Sequence, residues 1–288
     1  MEEEEIKNHI YAKVDELPTL PVVVPKLLSL MDDAGSDIAQ VTHVISQDPA
    51  LTSKILKVAN SAYYGFPKGI ADLERAVALL GFNMVKSLAL SIGVIKSLSK
   101  GKSSLHFSHK DLWLHSVTVA TGMKNLGKRY CSRPDSEHLF VIGLLHDMGK
   151  LVLEQFFNNA FQEVMELAPT SGKALSLAEK RILGFDHGEV GAMVLGRWNF
   201  PDVIVDPIGV HHQTGFPKGW APKVIATLRI ADALSQNLET KEGRPRPSEE
   251  IHEGDIETLA VDAEALVSLR RDLAGAKEGL EGFISVLM

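Results

Sequence analysis

The amino-acid sequence predicts an all-α protein, on three observations. Apolar residues recur at helical spacing, as Leu51, Ile55, Leu56 and Ala59 do along one face. Helix-start signals recur down the chain: the dipeptide Asp48-Pro49, an S-x-x-E pattern at Ser176 and Glu179, and Asp186 with Glu189 three residues later. No alternating apolar–polar run of convincing strand length stands out, nor does an internal repeat or a low-complexity tract.

Taken in order, Met1 to Glu16 read as a charged helical lead-in, and LPTLPVVVPKLLSLMDD sets three prolines ahead of a short apolar helix. Asp48 caps the next helix, with Pro49 as its first residue, and Gly65 helps end it at positive φ. LERAVALL stops at Gly81, and Asn83 caps MVKSLALSIGVIKSL. The polar, glycine-bearing tract SKGKSSLHFS marks the expected boundary between two lobes, residues 1–105 and 106–288. In the second lobe HKDLWLHSVTVATGMKNLGKRY is one helix, and Leu139 to Gln155, LFVIGLLHDMGKLVLEQ, is the next. Ser176 and Glu179 form a capping box for a short helix that stops near Gly184, and Asp186 and Glu189 do the same for DHGEVGAMVLGRWNF. Pro201 opens a helix that ends at His211-His212. TGFPKGWAP is a loop, and PKVIATLRIADALSQNL is a long helix carrying Asp232. ETKEGRPRPSEEIHEGD reads as a charged, mobile loop before a last helix, VDAEALVSLRRDLAGAKEGLEGFISVL.

Bulk properties exclude several classes. A length of 288 residues fits one large domain or two lobes, and 45% hydrophobic content suffices for a sizeable core. The net charge of −7 gives no basic field, so nucleic acid is not a favoured partner. The single cysteine, Cys131, permits no intrachain disulfide and suits a reducing cytoplasm. No apolar run reaches the roughly 18 residues that a membrane helix needs. The acidic start MEEEEIKN is unlike the basic start of a signal peptide.

The chemistry concentrates in the Leu139 stretch, which is apolar but for His146, Asp147 and Lys150. A buried charge needs a partner, and a bound cation supplies one. Other residues that could join are His115, with Asp111 four residues before it on the same face, then His187, the pair His211 and His212, and Asp232. Imidazoles with carboxylates suit Fe, Mn, Zn or Ni rather than Ca. The set exceeds what one ion takes, so two divalent transition-metal ions bridged by Asp147 are expected. Asp111 also reads as a carboxylate favoured by a helix N-terminus, Asp186 and Glu189 as caps, and Lys150 as a snorkelling side chain. His9, His43, His106, His109, His138 and His252 sit in polar surroundings and read as surface residues.

These residues carry a resemblance. HDMGK, with an upstream His and a downstream IAD, resembles the HD metal-dependent phosphohydrolase superfamily. LPTLP, ISQDPALTSKILKVANSAYYG, ALLGFNMVKSLAL, HDMGKL, FDHGEVGAMVLGRWNFP and VHHQ together resemble the HDOD family, the HD-related output domains of bacterial signalling, from Leu17 to Thr214. The resemblance implies an N-terminal helical lobe packed on an HD-like helical bundle with a C-terminal helical extension. It also implies a regulatory role, with a signalling protein or a nucleotide-type ligand as partner. The sequence is similar as well to the HD-GYP phosphodiesterases, which cleave cyclic di-GMP. Their pattern is matched by His146, Asp147, Gly149 and Lys150, by His115, His187, His211, His212 and Asp232, and by Asp111 where trinuclear members add a carboxylate. VHHQTGFPKG departs from their longer signature loop, with Gln213 where a Glu is usual. The implied alternative is hydrolysis of a nucleotide-type phosphoester. There Asp147 would hold a metal-bound hydroxide and Lys150 would face phosphate oxygens.

Overall fold

The computed structural model describes residues 12, 17, 19–30, 37–67, 69–98, 107–132, 136–171, 175–236, 238 and 251–287. Among them the architecture is all-α, as expected. The N-terminal lead-in falls almost wholly outside the described residues, and so does most of the expected boundary tract, at residues 99–106.

Local signals set the first helices. Helix α1 spans Val23–Ser29 and takes Pro25 into its first turn, where a missing N–H costs nothing, so only two prolines precede it. In α2, Ile38–Ser46, Asp37 and Gln40 form a reciprocal capping box. In α3, Pro49–Ala59, the Asp48 carboxylate accepts the N–H groups of Ala50 and Leu51 at 3.0 Å each. Gly65 has the expected positive φ, +60, but does not end this helix, which stops at Ala59 with Asn60 as its C-cap; turns occupy residues 60–64. Helix α4, Leu73–Leu80, gives way to α5, Phe82–Leu98, across a bend of 116°. Gly81 makes that bend alone at φ +90, and its carbonyl accepts the Val85 N–H. Asn83 therefore lies inside the first turn of α5 and is not its cap.

Helix α6, His109–Tyr130, is the centre of the molecule, packed by α7 (Leu139–Leu145), α13 (Pro222–Gln236) and α15 (Ala263–Leu287). Two glycines let the neighbours close in. A Cβ on Gly143 would stand 2.6 Å from the Ala120 Cα, and one on Gly122 would stand 3.1 Å from the Ala231 Cβ. Trp113, Val117, Met123, Ile142 and Leu228 fill this layer and are fully buried. Each contributes on the order of 2 kcal/mol by leaving water. Helix α5 packs on α1, α3, α4 and α7, and α15 returns to α3. No single helix among the described residues is long and apolar enough to cross a membrane.

Several expectations are corrected. The Leu139 stretch is two helices, with α8, Gly149–Phe156, following a tight turn at residues 146–148. There Met148, Lys150 and Leu151 bond three residues back instead of four. After α9, Asn158–Ser171, comes α10, Leu175–Leu183, which already contains Ser176, so Ser176 and Glu179 are not a capping box. Asp186 and Glu189 do form one, for α11, His187–Arg197. Helix α12, Asp202–Gly209, opens after Pro201 but stops before His211 and His212, which occupy the turn beyond it. The end of the expected mobile loop is ordered as α14, Glu253–Leu259; residues 239–250 lie outside the described residues. His109 is buried on α6, its Nε2 2.5 Å from the Glu154 Oε2 of α8, and is not a surface residue.

Candidate metal centre

Three helices and two turns deliver the site. The α6–α7 approach sets His115 beside His146, with ring centroids 5.3 Å apart. The three-residue turn after α7 points His146 and Asp147 to one place. Gly149 lets α8 lie directly on the backbone of His187 and Gly191, where any Cβ would overlap the His187 carbonyl. Gly188 does the same for the turn after α12: a Cβ there would stand 2.8 Å from the Ile208 carbonyl oxygen and 2.9 Å from the His211 ring. Asp232 comes from the middle of α13.

Seven of the eight side chains nominated from sequence converge. They fall into three overlapping groups: His115, His146 and Asp232; His146, Asp147 and His211; His187, His211 and His212. Asp147 stands between them. Its Oδ1 is 2.9 Å from His187 Nε2 and 3.4 Å from His146 Nε2, and its Oδ2 is 3.6 Å from His115 Nε2. Asp232 Oδ1 lies 2.9 Å from His115 Nε2 and 3.8 Å from His146 Nε2. Asp111 belongs to none of the groups. Its N–H bonds the Ser108 hydroxyl in the first turn of α6. Lys150 does not reach away from the core; its Nζ donates to Asp147 Oδ2 at 2.6 Å.

The proton positions fit cations. His146 Nδ1 donates to the Gly143 carbonyl at 2.8 Å, and His211 Nδ1 donates to the Ile208 carbonyl at 2.7 Å. A carbonyl only accepts, so each ring keeps its proton on Nδ1 and turns an Nε2 lone pair inward. Both Nε2 atoms are buried without a hydrogen-bond partner among the described residues. Two unpartnered lone pairs facing carboxylates in the core are costly unless a Lewis acid fills the space between them.

Electrostatics agree. Burial would raise the Asp147 carboxyl, but His146, Lys150 and His187 hold it well below the usual range. Burial would raise Asp232 too, and the hydrogen bond from His115, with the His146 ring close by, keeps it well below. Burial, with the neighbouring imidazoles, pushes His211 well below its ordinary value and keeps it neutral. His187 is the exception. Burial works to lower it, yet Glu179 and Asp147 carry it up to about 10, so a cation arriving there displaces a proton.

Two residues at the site escaped sequence reasoning. Glu179 of α10 accepts from His187, at its main-chain N–H (2.9 Å) and at Nδ1 (2.6 Å). Arg229, one turn before Asp232, donates to the carbonyls of Val210 (3.1 Å), His211 (3.2 Å) and Gly215 (2.9 Å). It thereby fixes the turn that carries the His pair. Its place on the Asp232 face, three residues away, was the one available signal.

With this geometry in place, similarity to known proteins is informative. The HDOD domain family model matches residues 17–214. An uncharacterised protein of Treponema pallidum (strain Nichols) is 24% identical over 228 residues, which cover 79% of this chain and 44% of that one. The chain spans less than half the length of the curated relatives it matches. An HDOD domain protein of unknown function from Geobacter sulfurreducens has the same fold, with a TM-score of 0.78 at 23% identity over 99% of this chain and 97% of its own. A protein of Shewanella amazonensis SB2B, named as a candidate phosphohydrolase, gives a TM-score of 0.76 at 26% identity over 97% of this chain and 98% of its own.

Proposed function

Because this chain belongs to the HDOD domain family, we propose that it is a signalling output module built around a two-ion His/Asp metal centre. The observation that carries the reading is the pair of inward, unpartnered lone pairs at His146 and His211 on either side of Asp147. In this reading His115, His146 and Asp232 take one divalent transition-metal ion, Fe, Mn, Ni or Zn. His187, His211 and His212 take the other, and Asp147 lies between the two. Lys150 holds the outer oxygen of Asp147 until metal arrives.

Burial favours regulation over turnover. His146 is 0% exposed, His187 1%, and Asp147 and Asp232 2% each. Structural metal sites are closed, whereas catalytic ones keep an open position. A centre so enclosed stabilises the packing of α6, α7, α11 and α13, and the outer helix faces are left to bind a signalling protein or a nucleotide-type ligand.

A second reading rests on Lys150 and His212. Both are only part-buried and stand beside the most enclosed ligands, so a phosphoester could approach from their side. That reading makes the protein a metal-dependent phosphohydrolase, with Asp147 and Lys150 as its catalytic residues. The test is elemental analysis of protein purified without added metal, followed by assays on an aryl phosphodiester and on cyclic di-GMP. About two ions per chain with negligible turnover is the expected result. Absence of Fe, Mn, Zn and Ni would sink the metal centre. Turnover near the typical enzyme k of ~10 s⁻¹ on either substrate would replace the regulatory reading with the hydrolytic one.

A further inference from the structure

His146 and His211 are oriented by backbone carbonyls three residues back, Gly143 and Ile208, which their own helices supply. His187 has no such acceptor, because it is the first residue of α11 and the chain before it is a turn. Its orientation comes from elsewhere in the sequence. Glu179 Oε2 accepts both the main-chain N–H of His187 and the Nδ1–H of its ring. One oxygen thus ties the ring to its own backbone and fixes its rotation. The opposite nitrogen then reaches Asp147 Oδ1 at 2.9 Å and His212 Nε2 at 2.8 Å.

Helix capping accounts for only the main-chain half of this contact: Glu179 takes the first N–H of α11, but its bond with the ring Nδ1 is no cap. The α11 N-terminus is already capped by Asp186 and Glu189 in reciprocal hydrogen bonds of 3.0 and 2.9 Å. Glu179 is 0% exposed, and its Oε1 has no hydrogen-bond partner among the described residues. A wholly buried carboxylate that uses one oxygen on a histidine and leaves the other unpaired is expensive to keep for packing alone.

Resting on the metal-centre reading above, we infer that Glu179 is a positioning residue for one ion only. It forms a carboxylate–histidine–metal relay on which the His187–His211–His212 site depends, whereas the His115–His146–Asp232 site does not. The carboxylate fixes the tautomer and orientation of His187 and makes its inner nitrogen a stronger donor. No equivalent carboxylate orients His146, so removing Glu179 splits the behaviour of the two sites.

The experiment is a titration of chelator-stripped wild type, Glu179→Gln and Glu179→Ala with Co²⁺ alone, followed by visible absorption and bound-metal analysis. Apo-protein melting curves report folding separately. The expected result is two ions in wild type, and in Glu179→Ala a loss of about 10–100-fold in affinity for one ion with the other unchanged. Glu179→Gln keeps an accepting oxygen of the same reach, so a smaller one-site loss is expected. If Glu179→Ala does not fold, Glu179→Gln decides: one weakened ion supports the relay, and wild-type affinity at both overturns it. Equal weakening of both ions in a folded variant also overturns it. Wild type that takes up no Co²⁺ removes the metal centre and the relay together. Wild type that takes up two while the variants match it removes the relay alone.

Discussion

Arg229 and Asp255 form an ion pair inside the fold, Nη1 to Oδ1 at 3.2 Å, with side-chain exposures of 8% and 2%. Asp255 belongs to α14, which lies beyond the part of the chain that the family model matches. Through Arg229 this late helix reaches the carbonyls of Val210, His211 and Gly215, and so the turn bearing the His pair.

Removing one partner of a buried pair leaves the other charged and unpaired, which costs about 3–5 kcal/mol. Asp255→Ala is therefore expected to lose stability in that range in chemical denaturation. Asp255→Asn should lose less, because it keeps an acceptor for Arg229. Burial already raises the Asp255 carboxyl against the pull of Arg229, so the neutral amide also escapes a desolvation cost. Equal stability of Asp255→Ala and wild type would show that α14 does not hold the turn.

Gly149→Ala tests the contact that sets α8 on α11. The added Cβ would meet the His187 carbonyl group and stand 2.9 Å from the Gly191 N, and backbone yields less readily than a side chain. Overpacking of this kind costs about 1–3 kcal/mol. Because His187 is displaced, metal affinity should fall as well. A variant with both properties intact would mean that the two helices can separate freely.

The His/Asp set was legible because these side chains are rare inside apolar helices, and their positions in the chain can be read without knowing the fold. Asp111 was the exception. It has the right spacing from His115 yet joins none of the three groups, because spacing along one helix does not tell which side chains other helices bring together. The all-α class and the caps at Asp48 and Asp186 were equally visible, since they rest on chemistry within four residues. What sequence missed is tertiary. Glu179 looks like half of a capping box until α10 is seen to start before Ser176. His109 looks like a polar surface residue until Glu154 of α8 is folded against it. The turn at 146–148 was hidden because His146 and Asp147, which interrupt the apolar run there, read equally well as ligands carried on one continuous helix.

Metal removal should destabilise the protein. Ions that bind only the folded state add about 2.7 kcal/mol each when present at 100 times their Kd. For a large domain each kcal/mol moves Tm by about 2–4 °C. Chelator-stripped protein is expected to melt several degrees lower and to regain its Tm on titration with Zn²⁺ or Mn²⁺. An unchanged Tm after complete stripping, verified by elemental analysis, would argue against a centre that holds the helices together.

The last prediction concerns Tyr63 and Tyr64, packed edge to face at 4.8 Å after α3. Burial raises both phenols above their ordinary value, although the hydrogen bond with Thr121 partly offsets this for Tyr63. The folded protein therefore keeps protons that the unfolded chain releases near pH 10. With the folded value raised, the stability contribution is full below about pH 10 and is lost as pH rises through and beyond it, by up to about 1.4 kcal/mol per pH unit for each phenol. Tyr64→Phe removes one of the two, so its stability should fall less steeply between pH 10 and 11.5. At pH 7 the same substitution should be neutral or stabilising. The Tyr64 hydroxyl is buried with no hydrogen-bond partner among the described residues, and leaving a group in that state costs about 1–3 kcal/mol. The aromatic ring, which packs against Tyr63 and stacks on Phe66 at 6.1 Å, is retained in the variant. Melting temperatures of both proteins across pH 7–11.5 provide the measurement. Parallel curves, or a Tyr64→Phe variant that is clearly weaker at pH 7, would mean that the hydroxyl finds a partner or water in solution.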